Sequence, residues 1–438
     1  MDHIRTIRLA IALFALIIGC NTLGGCGSTR VGASGDDADA SSIADSQAGD
    51  ATADLGPGDA TADLGPGDGT ADLEGDATPL VTMRVGPTRA IKTPSAAAKL
   101  AVDGEVIEID AGLYPGDVAV FTQNNLTLRG VGGFAHLRAD GKNAQGKAIW
   151  VIQGDDVTLE WIEFSGATVP DQNGAGIRQE GTNLTVRHCY FHDNEDGILA
   201  GDNVDSEILI EYSEFARNGF GDGKSHNLYI NHVKRLTFQF NYSHHAKIGH
   251  NLKSRAYENV IQYNRIMDEG DGTSSYAIDL PNGGTAIILG NLIQQGAQTD
   301  NSTMVSFGAE GLSNPLQALY VVHNTLVNDR PSGGNFLFVK TPLGTVQIVN
   351  NIFMGPGNLP SDSSFTLAGN ISGADVGLVS PETFDYSLSE TSPAIDKGAP
   401  VPLAGSTTLT PLWHYVHPTS RAPRPTDGKL DIGALERP

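Results

Sequence analysis

The chain has 438 residues and a formal charge of −23, with 53 glycines, 7% aromatic and 18% charged residues. This composition excludes a coiled coil, a helical bundle and a uniformly charged disordered chain, and the acidic balance argues against wrapping nucleic acid. Three cysteines, two within the first 26 residues, build neither a disulfide framework nor a four-cysteine zinc site, so stability is expected from buried apolar surface.

Residues 1–30 read as an export signal. Arg5 and Arg8 precede an apolar run over 9–18 that is too short to span a bilayer. The run leads into Ile17-Ile18-Gly19-Cys20 and then Leu23-Gly24-Gly25-Cys26, both of which resemble the bacterial lipobox. The resemblance implies lipidation of Cys20 or Cys26. Because neither cysteine is followed by Asp, it also implies an outer-membrane or cell-surface destination. Residues 31–78 form an acidic linker in which a nine-residue unit starts at Gly49, recurs at Gly58 and returns altered at Gly67. With twelve acidic residues, no basic ones and no aromatics, it is expected to stay disordered and extended. What remains, 79–438, carries 25 basic and 38 acidic residues, a charge of −13.

In that body, residues 93–102 read as one short N-terminal cap helix, after which the helical period is lost. A string of the form apolar-x-apolar-x-x-Asn-x-apolar recurs instead. Its units end at Val131, Ile162, Cys189, Ser213, Asn241, Asn264, Asn291, Asn324 and Asn351, with spacings between 23 and 33 residues. A period in the twenties with strict alternation predicts an all-β, right-handed parallel β-helix, a solenoid. Five successive asparagines at one phase predict an internal amide ladder, each Asn also taking the left-handed backbone of the turn. Cys189 shares that phase and is expected to be buried and inert. The opening 103–115 and the closing stretches 385–388, 392–398 and 431–436 resemble the ends of bacterial β-helix proteins. That resemblance implies a fold known to host lyases, hydrolases, epimerases and adhesins.

A solenoid offers long flat faces on which a polymer can lie, so a site should appear as unusual residues at matching positions of neighbouring coils. Between Arg217 and Arg265 lie eight basic residues against Asp222 and Glu258, leaving +6 in an acidic body, which predicts an anion-binding surface. Alternation places Asn227, Tyr229 and Asn231 outward on one coil, Asn251, Lys253 and Arg255 on the next and Asp279 on the third, stacking Tyr229, Lys253 and Asp279. Such a patch suits β-elimination at a uronate. Arg255, with Asn251 or Asn227, would pair with the carboxylate, and Lys253 would remove the C5 proton. Tyr229, His226 or His250 would protonate the leaving O4, and Asp279 would orient the lysine. Asn231, Tyr276 and Asn282 complete the candidate substrate contacts.

The stretch 251–255 followed by 259–264 resembles the Lys-Ser segment of the alginate lyase and chondroitinase B family, which implies that Lys253 is the base. Two positions depart from that family: Ile248-Gly249-His250 stands where its acidic calcium ligands precede the lysine, and its partner arginine is missing near Ser274. No cofactor is required by the residues themselves. Calcium could be held by Asp193, Glu195, Asp196, Asp222, Asp268, Glu269 and Asp271 in stacked turns. The expected partner is an anionic polysaccharide, with no nucleic acid, contact with a membrane only through the lipid anchor, and a monomeric state. A uronate C5-epimerase, a glycoside hydrolase and a non-catalytic polysaccharide-binding lipoprotein remain open on the same residues.

Overall fold

The computed structural model describes residues 82–437. The export signal with Cys20 and Cys26, and the acidic linker, lie outside the described residues.

The cap helix is shorter than expected, Pro94–Ala98. Thr93 caps it by accepting the N–H of Ala96, with Pro94 in the first turn, where a missing N–H costs nothing. Ala97 and Ala98 are buried, whereas Leu100 and Val102 point to solvent, so no apolar face extends the helix to residue 102.

Beyond it the chain winds as a parallel solenoid. Nine strands, from Ala119–Phe121 to Asn335–Val339, form one face in strict chain order. The other faces belong to a 21-stranded sheet whose pairings are parallel throughout; the antiparallel strand pairs among the described residues are three short ones near the C-terminus, beside one isolated antiparallel bridge, Ala144 to Ala148. Strands such as Val157–Glu160 and Leu184–Arg187 alternate, apolar side chains inward, while others such as Ala148–Ile152 are buried along their whole length. Phe164, Phe191 and Phe215, three coils in succession, stack with ring centroids 5.1 and 4.9 Å apart. Each such buried ring contributes roughly 1.5–3 kcal/mol from area alone.

The asparagine ladder is present. The Nδ2 of Asn241 donates to Oδ1 of Asn264, and the pattern repeats to Asn291, Asn324 and Asn351 and on to Asn370, at 2.9–3.2 Å. Each accepting oxygen also takes the backbone N–H of the preceding Asn. Ser213 and Cys189 continue the column upward: Cys189 N–H donates to Ser213 Oγ, and Ser213 N–H donates to Asn241 Oδ1. Burial pushes the Cys189 thiol up to about 12, so it is an unreactive filler.

Two details differ from expectation. The left-handed backbone falls on the residue before each ladder position: Trp161, His188, Tyr212, Phe240, Tyr263, His323 and Asn350 all have φ between 51° and 59°. The Asn is thereby free to turn its amide inward. At the first coil Ala135, not Val131, pairs with Ile162, because the strand Thr127–Arg138 bulges out at 131–134 and leaves Val131 exposed.

The C-terminal segment folds back as a cover on the later coils. Val376, Tyr386, Tyr415 and Ile432 pack on Leu292, Val327 and Ile352. It is pinned by a buried ion pair, Arg424 to Glu436 at 2.7 Å, with the guanidinium also donating to the carbonyls of Asp431, Gly433 and Ala434.

Candidate functional site

On the nine-stranded face the strands Leu228–Ile230, Lys253–Ser254 and Ile278–Leu280 are adjacent, and their register pairs Tyr229 with Lys253 and Lys253 with Asp279. The expected column is therefore in place, with Arg178 and Leu199 on one side and Ser306 and Phe338 on the other. The Lys253 Nζ lies 5.1 Å from the centre of the Tyr229 ring, and Arg255 lies over the same ring at 5.8 Å. Arg255 donates from Nε to the Tyr229 hydroxyl oxygen at 2.9 Å and from Nη1 to the Asn282 carbonyl oxygen. Both cations are largely covered, their side chains 13% and 15% exposed.

A residue that sequence reasoning missed completes this cluster. Glu310 places one carboxylate oxygen 2.7 Å from Arg255 and the other 3.6 Å from Lys253. It sits on the loop after the strand Thr303–Phe307, where Gly308 turns the chain at φ +78° and the Glu310 N–H bonds the Pro281 carbonyl. Its partner cations, acting against burial, hold its carboxyl below the usual range. No periodic signal marks Glu310, because it lies on an insertion between coils. Only the long spacing of 33 residues from Asn291 to Asn324 hints at an elaborated loop.

Behind the cations, Asp279 is 3% exposed. Burial pushes its carboxyl up to about 6, against the pull of the Lys253 ammonium. His250 Nε2 faces it at 3.6 Å. The ring of His250 stacks on that of His226, centroids 4.4 Å apart. His226 Nδ1 accepts the N–H of His250 and His250 Nδ1 accepts that of Tyr276, which places the proton of both neutral rings on Nε2. Burial pushes His250 down to about 3, and it holds His226 well below its ordinary value. The buried Nε2 of His226 has no hydrogen-bond partner among the described residues.

Several expectations need correction. Asn227 and Asn251 do not face substrate. Both are fully buried, Asn227 donating to Asn251 and Asn251 to Asp268 and Ser274, in a second internal ladder. They precede the strands, where the chain is still turning, so alternation does not extend to them. His226 is covered by His250, which leaves Tyr229 as the better placed proton donor. Asn231, one residue past its strand, accepts the N–H of His232 on its side-chain Oδ1. Tyr276 packs edge-on with His250, ring centroids 4.9 Å apart, and its side chain bonds Asn301 rather than any member of the Lys253 cluster. Asn282 is in the cluster as expected.

The cationic window is also not one strip. Arg217 and Lys247 pair with Asp193, Lys234 with Glu207, Arg235 with Glu258 and Arg265 with Glu269, spread over other faces. Only Lys253 and Arg255 of that window belong to the cluster around Glu310. The acids considered for calcium are likewise dispersed among local partners: Glu195 and Asp196 accept backbone N–H groups, Asp268 the hydroxyl of Ser274, and Asp271 faces His245.

Residues 121–297 match the family described as "Right handed beta helix region". The fold is a right-handed parallel β-helix. No curated protein matches the chain. Among solved structures, the pectate lyase Pel9A superposes with a TM-score of 0.54 at 14% identity, covering 82% of this chain and 98% of that one. A mutant of the PL6 family alginate lyase AlyGC gives a TM-score of 0.28 at 13% identity, covering 71% of this chain and 57% of that one. At such identities the first likeness shows a shared fold, and the second carries no argument.

Proposed function

We propose that the protein is a polysaccharide lyase that cleaves a uronate-containing anionic polysaccharide by β-elimination. The observation that carries this reading is the grip of Lys253 and Arg255 on a single carboxylate, that of Glu310. A uronate carboxylate entering this place would exchange with Glu310, and its pairing with Arg255 would acidify the C5 proton. Lys253, in its neutral form, takes that proton. The C5–H electron pair becomes the C4=C5 bond as the C4–O4 bond breaks, and O4 takes the phenolic proton of Tyr229. That hydroxyl already accepts from Arg255 Nε, so its own proton is free to be given. Asp279 holds the lysine on this face, and the likeness in fold to a pectate lyase supports the reaction class. The experiment is a depolymerisation screen over polyuronates and glycosaminoglycans, with and without chelator, read by the ultraviolet absorbance of the unsaturated product. Binding without new absorbance on every substrate would overturn the proposal in favour of a binding protein.

A second reading, a glycoside hydrolase, is favoured by one observation: Asp279 is held up and Glu310 held down, the split expected of an acid and a base. It predicts new reducing ends with no ultraviolet product. We further propose that the chain is exported and lipid-anchored at the cell surface through Cys20 or Cys26. Incorporation of labelled fatty acid, lost on Cys20→Ser or Cys26→Ser, checks this.

A further inference from the structure

On a different face from the Lys253 cluster, three coils bring two imidazoles and a carboxylate to one point. His136 and Glu163 are direct neighbours on the paired strands Thr127–Arg138 and Ile162–Ser165. His192 comes from the next strand, Tyr190–His192, two residues further along. Glu163 Oε1 lies 3.4 Å from His136 Nδ1 and 3.0 Å from His192 Nε2, and one ligand atom from each residue lies within 4.8 Å of the others. Ligand atoms about 2.0–2.1 Å from a tetrahedral ion stand about 3.3 Å apart. The two Glu–His distances already match that edge, so only the two rings have to close on each other.

The surroundings of the rings point the same way. His192 turns its other nitrogen, Nδ1, to Asp193 Oδ2 at 2.8 Å, and His136 turns Nε2 to Ser165 Oγ at 2.7 Å. Metal-bound histidines are held in this manner, the distal nitrogen bonded to a carboxylate or another acceptor that sets the tautomer. Asp193 is itself fixed by Arg217 at 3.0 Å, and Lys247 lies 3.6 Å away. All three converging side chains are partly exposed, at 24%, 20% and 16%, so a fourth position remains open to water. Among the described residues this is the one place where three such groups converge.

We propose that His136 Nδ1, Glu163 Oε1 and His192 Nε2 form a divalent transition-metal site that accepts zinc, with Ser165 and Asp193 orienting the two rings and water completing the tetrahedron. Two imidazoles and one carboxylate favour zinc or cobalt over calcium or magnesium, which prefer all-oxygen shells. A bound ion ties three successive coils of the solenoid together. It therefore stabilises the folded chain in proportion to the logarithm of its free concentration.

The test uses the untagged full-length chain stripped with EDTA. Calorimetric titration with zinc chloride is expected to saturate at a single equivalent and to raise Tm, and cobalt chloride to produce a visible d–d absorption band. His192→Ala and Glu163→Gln each abolish the cobalt band. Asp193→Asn weakens affinity about 10–100-fold while keeping the stoichiometry, because it alters ring orientation and not a ligand. His232→Ala, on another face, changes nothing. Metal-free Tm values of all variants separate loss of a ligand from loss of fold. Absence of saturable binding, or a cobalt band that survives in both His192→Ala and Glu163→Gln, overturns the site. Neither outcome bears on lyase activity, which uses residues of another sheet.

Discussion

Two of the polar columns that run up this solenoid, the ladder from Asn241 to Asn370 inside a turn and the Tyr229 column on a face, are built by the same stacking rule to opposite ends. Inside, each of Asn264, Asn291, Asn324 and Asn351 accepts two bonds and donates onward to its neighbour and to a main-chain carbonyl, such as that of Ile261 for Asn291. Outside, Tyr229, Lys253 and Asp279 stand in equally good register, yet two cations share one carboxylate and the Asp279 carboxyl is held up near 6. Register alone therefore does not separate scaffold from site. Completeness of hydrogen bonding does: a column whose polar groups are all paired stabilises, and one left charged and partly covered can react.

That contrast can be broken most sharply at its two central residues. Lys253→Ala is expected to lower kcat about 10²–10⁴-fold, the usual weight of a positioned base, while leaving Tm within a degree or so. Asn291→Ala should do the reverse. It strips the acceptor from both the N–H and the amide of Asn264, at about 1–3 kcal/mol for each buried group left unsatisfied, and activity per folded molecule stays unchanged. Melting curves and initial rates on the same samples check both. If Lys253→Ala unfolds the chain, or Asn291→Ala leaves Tm unmoved, the division fails.

A smaller effect tests geometry. Arg255→Lys keeps the charge but loses the fork that reaches Tyr229, Asn282 and Glu310 together. Losing one or two charge-assisted bonds in the transition state corresponds to about 10–100-fold in kcat/KM. A rate equal to that of the parent chain would remove Arg255 from carboxylate recognition.

How much of this was legible beforehand follows from what each feature depends on. The ladder and the Tyr229–Lys253–Asp279 column depend on a period and on alternation, which a string of residues displays directly. Asn227 and Asn251 were misplaced because alternation holds only within a strand, and they lie one and two residues before theirs begin. The supposed cationic strip dissolved because a coil presents three faces, and proximity in sequence says nothing about which face a side chain takes. Glu310 was invisible since it acts from an insertion, where no periodicity operates. The His136–Glu163–His192 cluster was missed for another reason: its members are 27 and 29 residues apart, and at single positions each reads as ordinary surface.

The last effect is one of sign more than size. Asp279 is held above its unfolded value, so its protonated form is favoured by folding. Its contribution to stability is complete below about pH 4 and is lost as pH rises through about 6. Asp279→Asn should flatten that part of the Tm–pH curve. In activity the two chemical readings diverge. As an orienting carboxylate for Lys253 in a lyase, Asp279 must be ionised, and the rate falls as pH drops through about 6; Asp279→Asn removes that limb and lowers the plateau. As the general acid of a hydrolase it must be protonated, and the rate falls as pH rises through the same value. A limb near pH 6 that Asp279→Asn erases identifies the group, and the direction of that limb decides between elimination and hydrolysis.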